Sequence, residues 1–258
     1  MYRKQDLKAD LLALGVKQTD TLLVHSSCKS IGAVEGGADT VLDAFSEALA
    51  EGLLIFPTHT WDKLKEGFVY DPETTPSCNG ILTELFRKRP GAVRSLHPTH
   101  SVAALGADAA AYTAGEEHAL TPCPREGCWG RLYDRDAWLL FLGCGIRYNT
   151  FLHSVEEWVD VPDRLVETPL TVYTRMPDGS VQSRAYRGHR SSFGDVSATF
   201  GKLELPLLQK KLLRLSYIGD APSFLMRARD VADLTMDYLR KEPNLFGKWD
   251  PVPGSWYR

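Results

Sequence analysis

The sequence predicts an α/β fold: three layers, α/β/α, built on a mixed, partly parallel central sheet, with an added β-hairpin region after residue 165. Three observations carry this. Residues 21–57 read as strand, helix and strand, the order of a βαβ unit with parallel pairing. Ala137–Leu142 is the most apolar run in the chain and ends in Gly143-Cys144-Gly145, so it reads as a central strand that turns into a helix. Pro177-Asp178-Gly179 separates two strand-like runs, Leu170–Arg175 and Val181–Arg187, the pattern of a hairpin turn.

The elements follow in order. Residues 4–14 place Leu7, Leu11, Leu12 and Leu14 on one side of a helix. Thr21–His25 is a buried strand, Asp39–Ala50 a helix stopped by Gly52, and Leu53–Pro57 a second buried strand. Pro57–Asn79 is irregular and long enough to serve a function. Gly80–Lys88 is a short helix halted by Pro90-Gly91. Val102–Leu105 is a strand, and Ala107–Ala114 one or two helical turns. Thr150–Val159 is a helix capped by Asn149 or Thr150. Residues 197–212 and 227–240 carry helical patterns. No internal repeat or low-complexity linker interrupts the chain, and residues 1–258 read as one domain.

Bulk properties exclude several classes. With 43% apolar and 24% charged residues the chain is an ordinary globular one. A net charge of −3 gives no basic footprint for nucleic acid. No apolar run approaches the roughly 20 residues that span a bilayer. The first residues, Met-Tyr-Arg-Lys-Gln-Asp-Leu-Lys, lack the apolar core of a secretory signal. A cytoplasmic location is the expectation. The cysteines Cys28, Cys78, Cys123, Cys128 and Cys144 are odd in number and form no Cys-x-x-Cys pair, which suits free thiols.

The chemistry gathers in three places. Residues 22–40 run from an apolar strand through His25, Ser26 and Ser27 to Gly32, Gly36 and Gly37 and then into a helix. Such a turn presents backbone N–H groups and hydroxyls to an anion, although any βα connection uses small residues in the same way. Neither the Walker pattern nor the dinucleotide fingerprint is present. His97 and His100 flank Pro98, which rules out a helix there and leaves too few ligands for a metal site; no metal is expected. His118 and His189 read as surface residues. His153 stands apart. It follows the apolar strand, near where open α/β sheets bind ligands, with Glu156 and Glu157 at i+3 and i+4 on one helical face. A carboxylate beside an imidazole fixes its tautomer and steadies its charged form, as a general base requires; a plain surface His–Glu pair fits the same spacing. Cys144 offers a competing nucleophile, or simply a small residue between two glycines.

Several segments together resemble one family. They are His25-Ser-Ser-x-x-x-Ile-Gly-x-Val-Glu-Gly-Gly-Ala-Asp-Thr, Phe56-Pro-Thr-His-Thr, Arg94-Ser-Leu-His-Pro-Thr-His-Ser-Val-Ala-Ala-Leu-Gly106, Trp129-Gly-Arg-Leu-Tyr, and Leu142-Gly-x-Gly followed by Asn149-Thr-Phe-Leu-His153. In this order, over roughly residues 5–240, they resemble the aminoglycoside 3-N-acetyltransferases, whose fold is distinct from that of the GNAT acetyltransferases. The resemblance implies acetyl-coenzyme A as co-substrate, no metal, and acetylation of the 3-amine of a deoxystreptamine ring, giving antibiotic resistance. It implies that His25, Ser26, Ser27, Ser30, Glu35, Gly36 and Gly37 hold the coenzyme, with Thr99, His100 and Ser101 in the same cleft. His153 matches the catalytic base, supported by Glu156 or Glu157, and Asp62, Glu157 and Asp160 would face the antibiotic. Polycationic substrates call for a carboxylate-rich pocket, and Asp71 and Glu156 could add to it. Arg147 departs from the family pattern and would repel a cation, which keeps open a coenzyme A-dependent N-acyltransferase acting on a different amine in biosynthesis. The small-molecule substrate is the expected partner; monomer and homodimer are both open.

Overall fold

The computed structural model describes residues 1–258. In chain order the elements are α1 (Lys4–Ala13), β1 (Thr21–Ser26), α2 (Gly37–Ala48), β2 (Leu53–Pro57), β3 (Val69–Tyr70), α3 (Ile81–Phe86), β4 (Val93–Arg94), β5 (Val102–Gly106) and α4 (Ala109–Thr113). They continue as α5 (Cys128–Asp134), β6 (Trp138–Leu142), α6 (Thr150–Trp158), β7 (Leu170–Arg175), β8 (Val181–Tyr186), α7 (Glu204–Gln209), β9 (Leu213–Ile218), β10 (Ala221–Arg227) and α8 (Ala228–Lys241). No helix is long and apolar enough to cross a membrane.

Seven strands form the main sheet in the order β4-β5-β2-β1-β6-β10-β9. Its centre is parallel, with β1 between β2 and β6, and its wings are antiparallel, β5 on β2 and β10 on β6. This is the mixed sheet expected, and the first βαβ unit pairs as predicted. Period-two alternation then sorts the side chains. Leu22, Val24, Leu54, Phe56, Leu140 and Leu142 face one core, under α1, α2 and α3. Leu23, Leu53, Ile55, Leu139 and Phe141 face the other, under α4, α5, α6 and α8. The three layers follow from these two faces. On α1, Leu7 and Leu11 are buried while Leu12 points to solvent.

The structure adds elements the sequence reading left unassigned. Strands β9 and β10 form a hairpin closed by Gly219-Asp220, with Gly219 at φ +58°. A Gly-Asp pair between apolar runs is a hairpin signal. The hairpin expected after residue 165 also forms, as β7 and β8, but in a separate sheet completed by β3 from the irregular loop. The helical pattern over 197–212 divides into a 3-10 segment, Val196–Leu203, and α7.

Candidate active site

A cavity of about 1090 Å³ opens where β1, β2 and β6 end, the edge at which such sheets bind ligands. Alternation along β1 turns His25 to the same face as Phe141 of β6, and their rings stack at 4.9 Å. Beyond β1, the Ser30 hydroxyl donates to Ser27 Oγ at 2.9 Å and to the Gly143 carbonyl at 3.1 Å. Gly143 is held tightly here: a Cβ would lie 2.4 Å from the Ser30 Cβ, and its φ is +63°. This explains the first glycine of the turn after β6 and binds that turn to the segment after β1.

The second wall comes from the prolongation of β2 and its neighbour β5. Thr58 N–H donates to the Ser101 carbonyl at 2.8 Å and Thr60 N–H to the Thr99 carbonyl at 2.9 Å, so the pairing runs on past the strands. Arg94 ties this extension to the loop, donating to the Thr58 carbonyl at 2.7 Å and the Thr75 carbonyl at 2.5 Å. The result sets His59 beside His100, ring centroids 4.8 Å apart. His97 staples the turn: its Nδ1 accepts from His100 N–H at 2.9 Å, while Nε2 faces the Thr121 carbonyl at 3.0 Å. Both nitrogens are thus committed, and His97 and His100 form no ligand pair. Burial drives His25 and His97 down to about 3 and holds His59 and His100 well below the usual imidazole range.

Helix α6 forms the third wall. Asn149 caps it, its side chain accepting from Phe151 N–H at 3.2 Å, and one turn later His153 reaches the cavity. Its Nδ1 lies 3.1 Å from Glu156 Oε2. The other oxygen of Glu156 accepts from Arg164 Nε at 2.5 Å, and both Glu156 and Arg164 are buried. Burial alone would raise the Glu156 carboxyl, but the His153 hydrogen bond and the charges of His153 and Arg164 outweigh it and hold it below its ordinary value. Glu157 turns elsewhere. Its Oε1 accepts from Cys123 N–H at 2.9 Å and sits 2.8 Å from His189 Nε2. Replacing Arg164 with alanine would leave the Glu156 charge buried without its counter-ion. The expected cost is about 3–5 kcal/mol, read as a lowered midpoint in chemical denaturation; a loss under about 1 kcal/mol, the range of an exposed pair, would contradict this account.

The expected site residues divide. His25, Ser26, Ser27, Thr99, His100 and His153 line the cavity. Ser30 stands behind Ser27, and Ser101 is fully buried against Thr58 and Arg94, accepting and donating there instead of facing the cleft. Glu35, Gly36 and Gly37 are exposed and lie outside the wall. Asp62 pairs with Lys63 at 2.8 Å and Asp71 with Arg175 at 3.3 Å, neither in the wall. Asp160 is exposed beyond the end of α6. The carboxylate-rich pocket is therefore not what the wall presents: Asp195 is its one acidic residue, and Arg147 stands with Tyr148 at the mouth. His189, read from sequence as a surface residue, is a wall residue tilted against His153, ring centroids 4.5 Å apart. His59, Asn79 and Phe200 are further wall residues that the sequence reading did not select.

The family model for aminoglycoside 3-N-acetyltransferases matches residues 23–240. The chain belongs to this family. It is 31% identical over 268 residues to aminoglycoside N(3)-acetyltransferase VII of Streptomyces paromomycinus, covering 92% of this chain and 91% of that protein. Among solved structures, a histidine-to-alanine variant of aminoglycoside acetyltransferase AAC(3)-IVa in complex with a gentamicin superposes with a TM-score of 0.83 at 29% identity, over 95% of this chain and 91% of that one. AAC-IIIb in a binary complex with CoASH gives 0.83 at 25% identity, over 98% and 99%. The aminoglycoside 3-N-acetyltransferase family membership makes the chain an acyltransferase, and acetyl-coenzyme A is the donor that such membership implies.

Proposed function

We propose that the cavity transfers an acetyl group from acetyl-coenzyme A to the 3-amino group of the deoxystreptamine ring of an aminoglycoside, conferring resistance, by direct attack with His153 as general base. The observation that carries this is the buried chain Arg164–Glu156–His153, which ends at the cavity with His153 Nε2 free of any protein partner. Glu156 accepts at Nδ1, so the proton of the neutral ring sits there and the lone pair on Nε2 faces the cavity. In the reaction the amine nitrogen bonds to the thioester carbonyl carbon, His153 Nε2 takes one amine proton, and the C–S bond breaks. The thiolate leaves and takes up the proton that His153 held. Glu156 stabilises the imidazolium meanwhile, much as the acid of a catalytic triad does. A cavity of about 1090 Å³ exceeds what one drug-sized ligand fills, so donor arm and acceptor can sit together, which is the gain in direct transfer. The hydroxyls of Ser26 and Ser27 with the turn at Gly143–Gly145 suit the amide groups of the donor arm, and Thr99 and His100 close the same side. Asp195, with Asp62 nearer the loop, is the candidate contact for a cationic acceptor. That a histidine-to-alanine variant of AAC(3)-IVa is bound to a gentamicin agrees with a histidine at the centre of the chemistry.

The Cys144 route is disfavoured because burial pushes that thiol up to about 12, far from a thiolate at neutral pH. Thiol release from acetyl-coenzyme A, followed with gentamicin, sisomicin and apramycin and with the product located by NMR, tests the reading. Acetylation at the 3-amine is the expected result. Cys144→Ala should keep turnover within about tenfold of wild type, since loss of a covalent nucleophile would cost far more. The second reading, a different amine as acceptor, draws on the single acidic residue in the wall and on Arg147. Coenzyme A binding without turnover of any of the three antibiotics would favour it.

A further inference from the structure

We propose that His189 is a second hydrogen-bond acceptor for the attacking amine, so that the nitrogen being acetylated is held through both of its N–H bonds, one to His153 and one to His189. The inference rests on the reading of His153 as the base. Its ground is the way two adjacent glutamates of α6 each commit one imidazole. Glu157 Oε1 lies 2.8 Å from His189 Nε2 and also accepts from Cys123 N–H at 2.9 Å, which fixes the carboxylate. An ionised carboxylate only accepts, so the proton of the neutral His189 ring resides on Nε2 and the lone pair on Nδ1. Nδ1 makes no hydrogen bond in the protein and is not among the enclosed, partnerless polar atoms, so it stays accessible on a side chain that lines the cavity. His153 is committed in the complementary sense, Nδ1 to Glu156 and Nε2 to the cavity. The two rings lie 4.5 Å apart at 37°.

Two imidazoles whose rings lie 4.5 Å apart in one wall, each with an unpartnered acceptor nitrogen, match in number the two N–H donors of a primary amine. With both N–H bonds accepted, the nitrogen lone pair is left for the thioester carbonyl. The proton passes to His153 alone. Burial, then the nearby His153, lower His189 below the usual imidazole range, and a second cation at this spacing would be opposed by the first. Other titratable groups about His189 include Glu156, Glu157, Cys123, His100, His59 and His97. His189 thus stays neutral and orients; His153 takes the charge.

The test compares three variants with a single aminoglycoside and acetyl-coenzyme A. His189→Phe keeps a ring between His100 and His153 but has no acceptor. His189→Gln keeps a donor for Glu157 and a carbonyl for the amine. His189→Ala has neither. The expected result is a loss of about tenfold or more in kcat/KM for the aminoglycoside in the Phe and Ala variants, the scale of one hydrogen bond to a group gaining charge. The Gln variant should recover most of it, and KM for acetyl-coenzyme A should be unchanged in all three. A Phe variant at the wild-type rate overturns the proposal and makes His189 a packing residue; a Gln variant no better than Ala overturns it too. Coenzyme A binding by calorimetry reports folding, and if the Phe variant fails to bind, the Gln and Ala pair decides. His153→Ala at the wild-type rate would sink the base assignment itself, whereas a crippled His153→Ala beside an intact His189→Phe would sink only the present inference.

Discussion

Replacing His153 with alanine is expected to lower kcat by ~10²-fold or more, the usual contribution of a positioned general base. The variant removes the imidazole that the Arg164–Glu156 pair orients on one side and whose other nitrogen opens to the cavity. The Arg164–Glu156 pair survives the change, so the helix should keep its place and coenzyme A binding its strength. The loss should therefore fall on kcat and not on KM for acetyl-coenzyme A, which separates a missing base from a collapsed site. Steady-state thiol release at saturating acetyl-coenzyme A measures it. A variant within about tenfold of wild type would show that the amine loses its proton by another route. Glu156→Gln should show a smaller loss in the same direction, because the amide can still hold Nδ1 but no longer balances the charge on the ring.

The frame of this site was readable from the sequence because short-range rules produce it. Strands β1, β2 and β6 are apolar runs that alternate between two cores, and the helix between β1 and β2 dictates their parallel pairing. The His153–Glu156 contact is one helical turn, visible as i, i+3 spacing. What decides between Glu156 and Glu157 is not local. Arg164 claims the first, while Cys123 N–H and His189, 34 and 32 residues away, claim the second. His59, seen in the sequence only within a segment that resembles the family, and His189, read as a surface residue, were not assigned to the site for the same reason: their surroundings are assembled from the β2–β5 prolongation and from the loop after β8, and no local spacing places either in the wall. The missed strand β9 is an edge strand with Leu215 and Tyr217 exposed, so its apolar residues follow no single buried face. The turn signal at Gly219-Asp220 was the only legible part of that hairpin.

The protein is expected to lose stability as the pH falls below about 6.5, well before its carboxylates titrate. Five imidazoles, those of His25, His59, His97, His100 and His189, are held below their ordinary value, each chiefly by burial. The sign follows from proton counting. In the unfolded chain these rings take up protons as the pH drops through about 6.5, while in the fold they remain neutral, so the unfolded state binds more protons and acid favours it. Each ring that stays neutral in the fold and charged outside it removes up to ~1.4 kcal/mol per pH unit. Together they make the loss steeper than any single ring would, against an ordinary folding free energy of about 5–15 kcal/mol. Glu156 acts in a lower window: with its folded value depressed, its contribution is full above the ordinary carboxyl range and fades only below it. Thermal melts between pH 8 and pH 5 test the histidine effect. The midpoint should fall steeply below pH 6.5, and His97→Gln, which keeps a side-chain acceptor and donor in the turn, should flatten the slope by about one proton's worth. A midpoint constant down to pH 5 would mean that these rings take up protons within the fold. The neutral cavity they build around His153 would then not persist under mild acid.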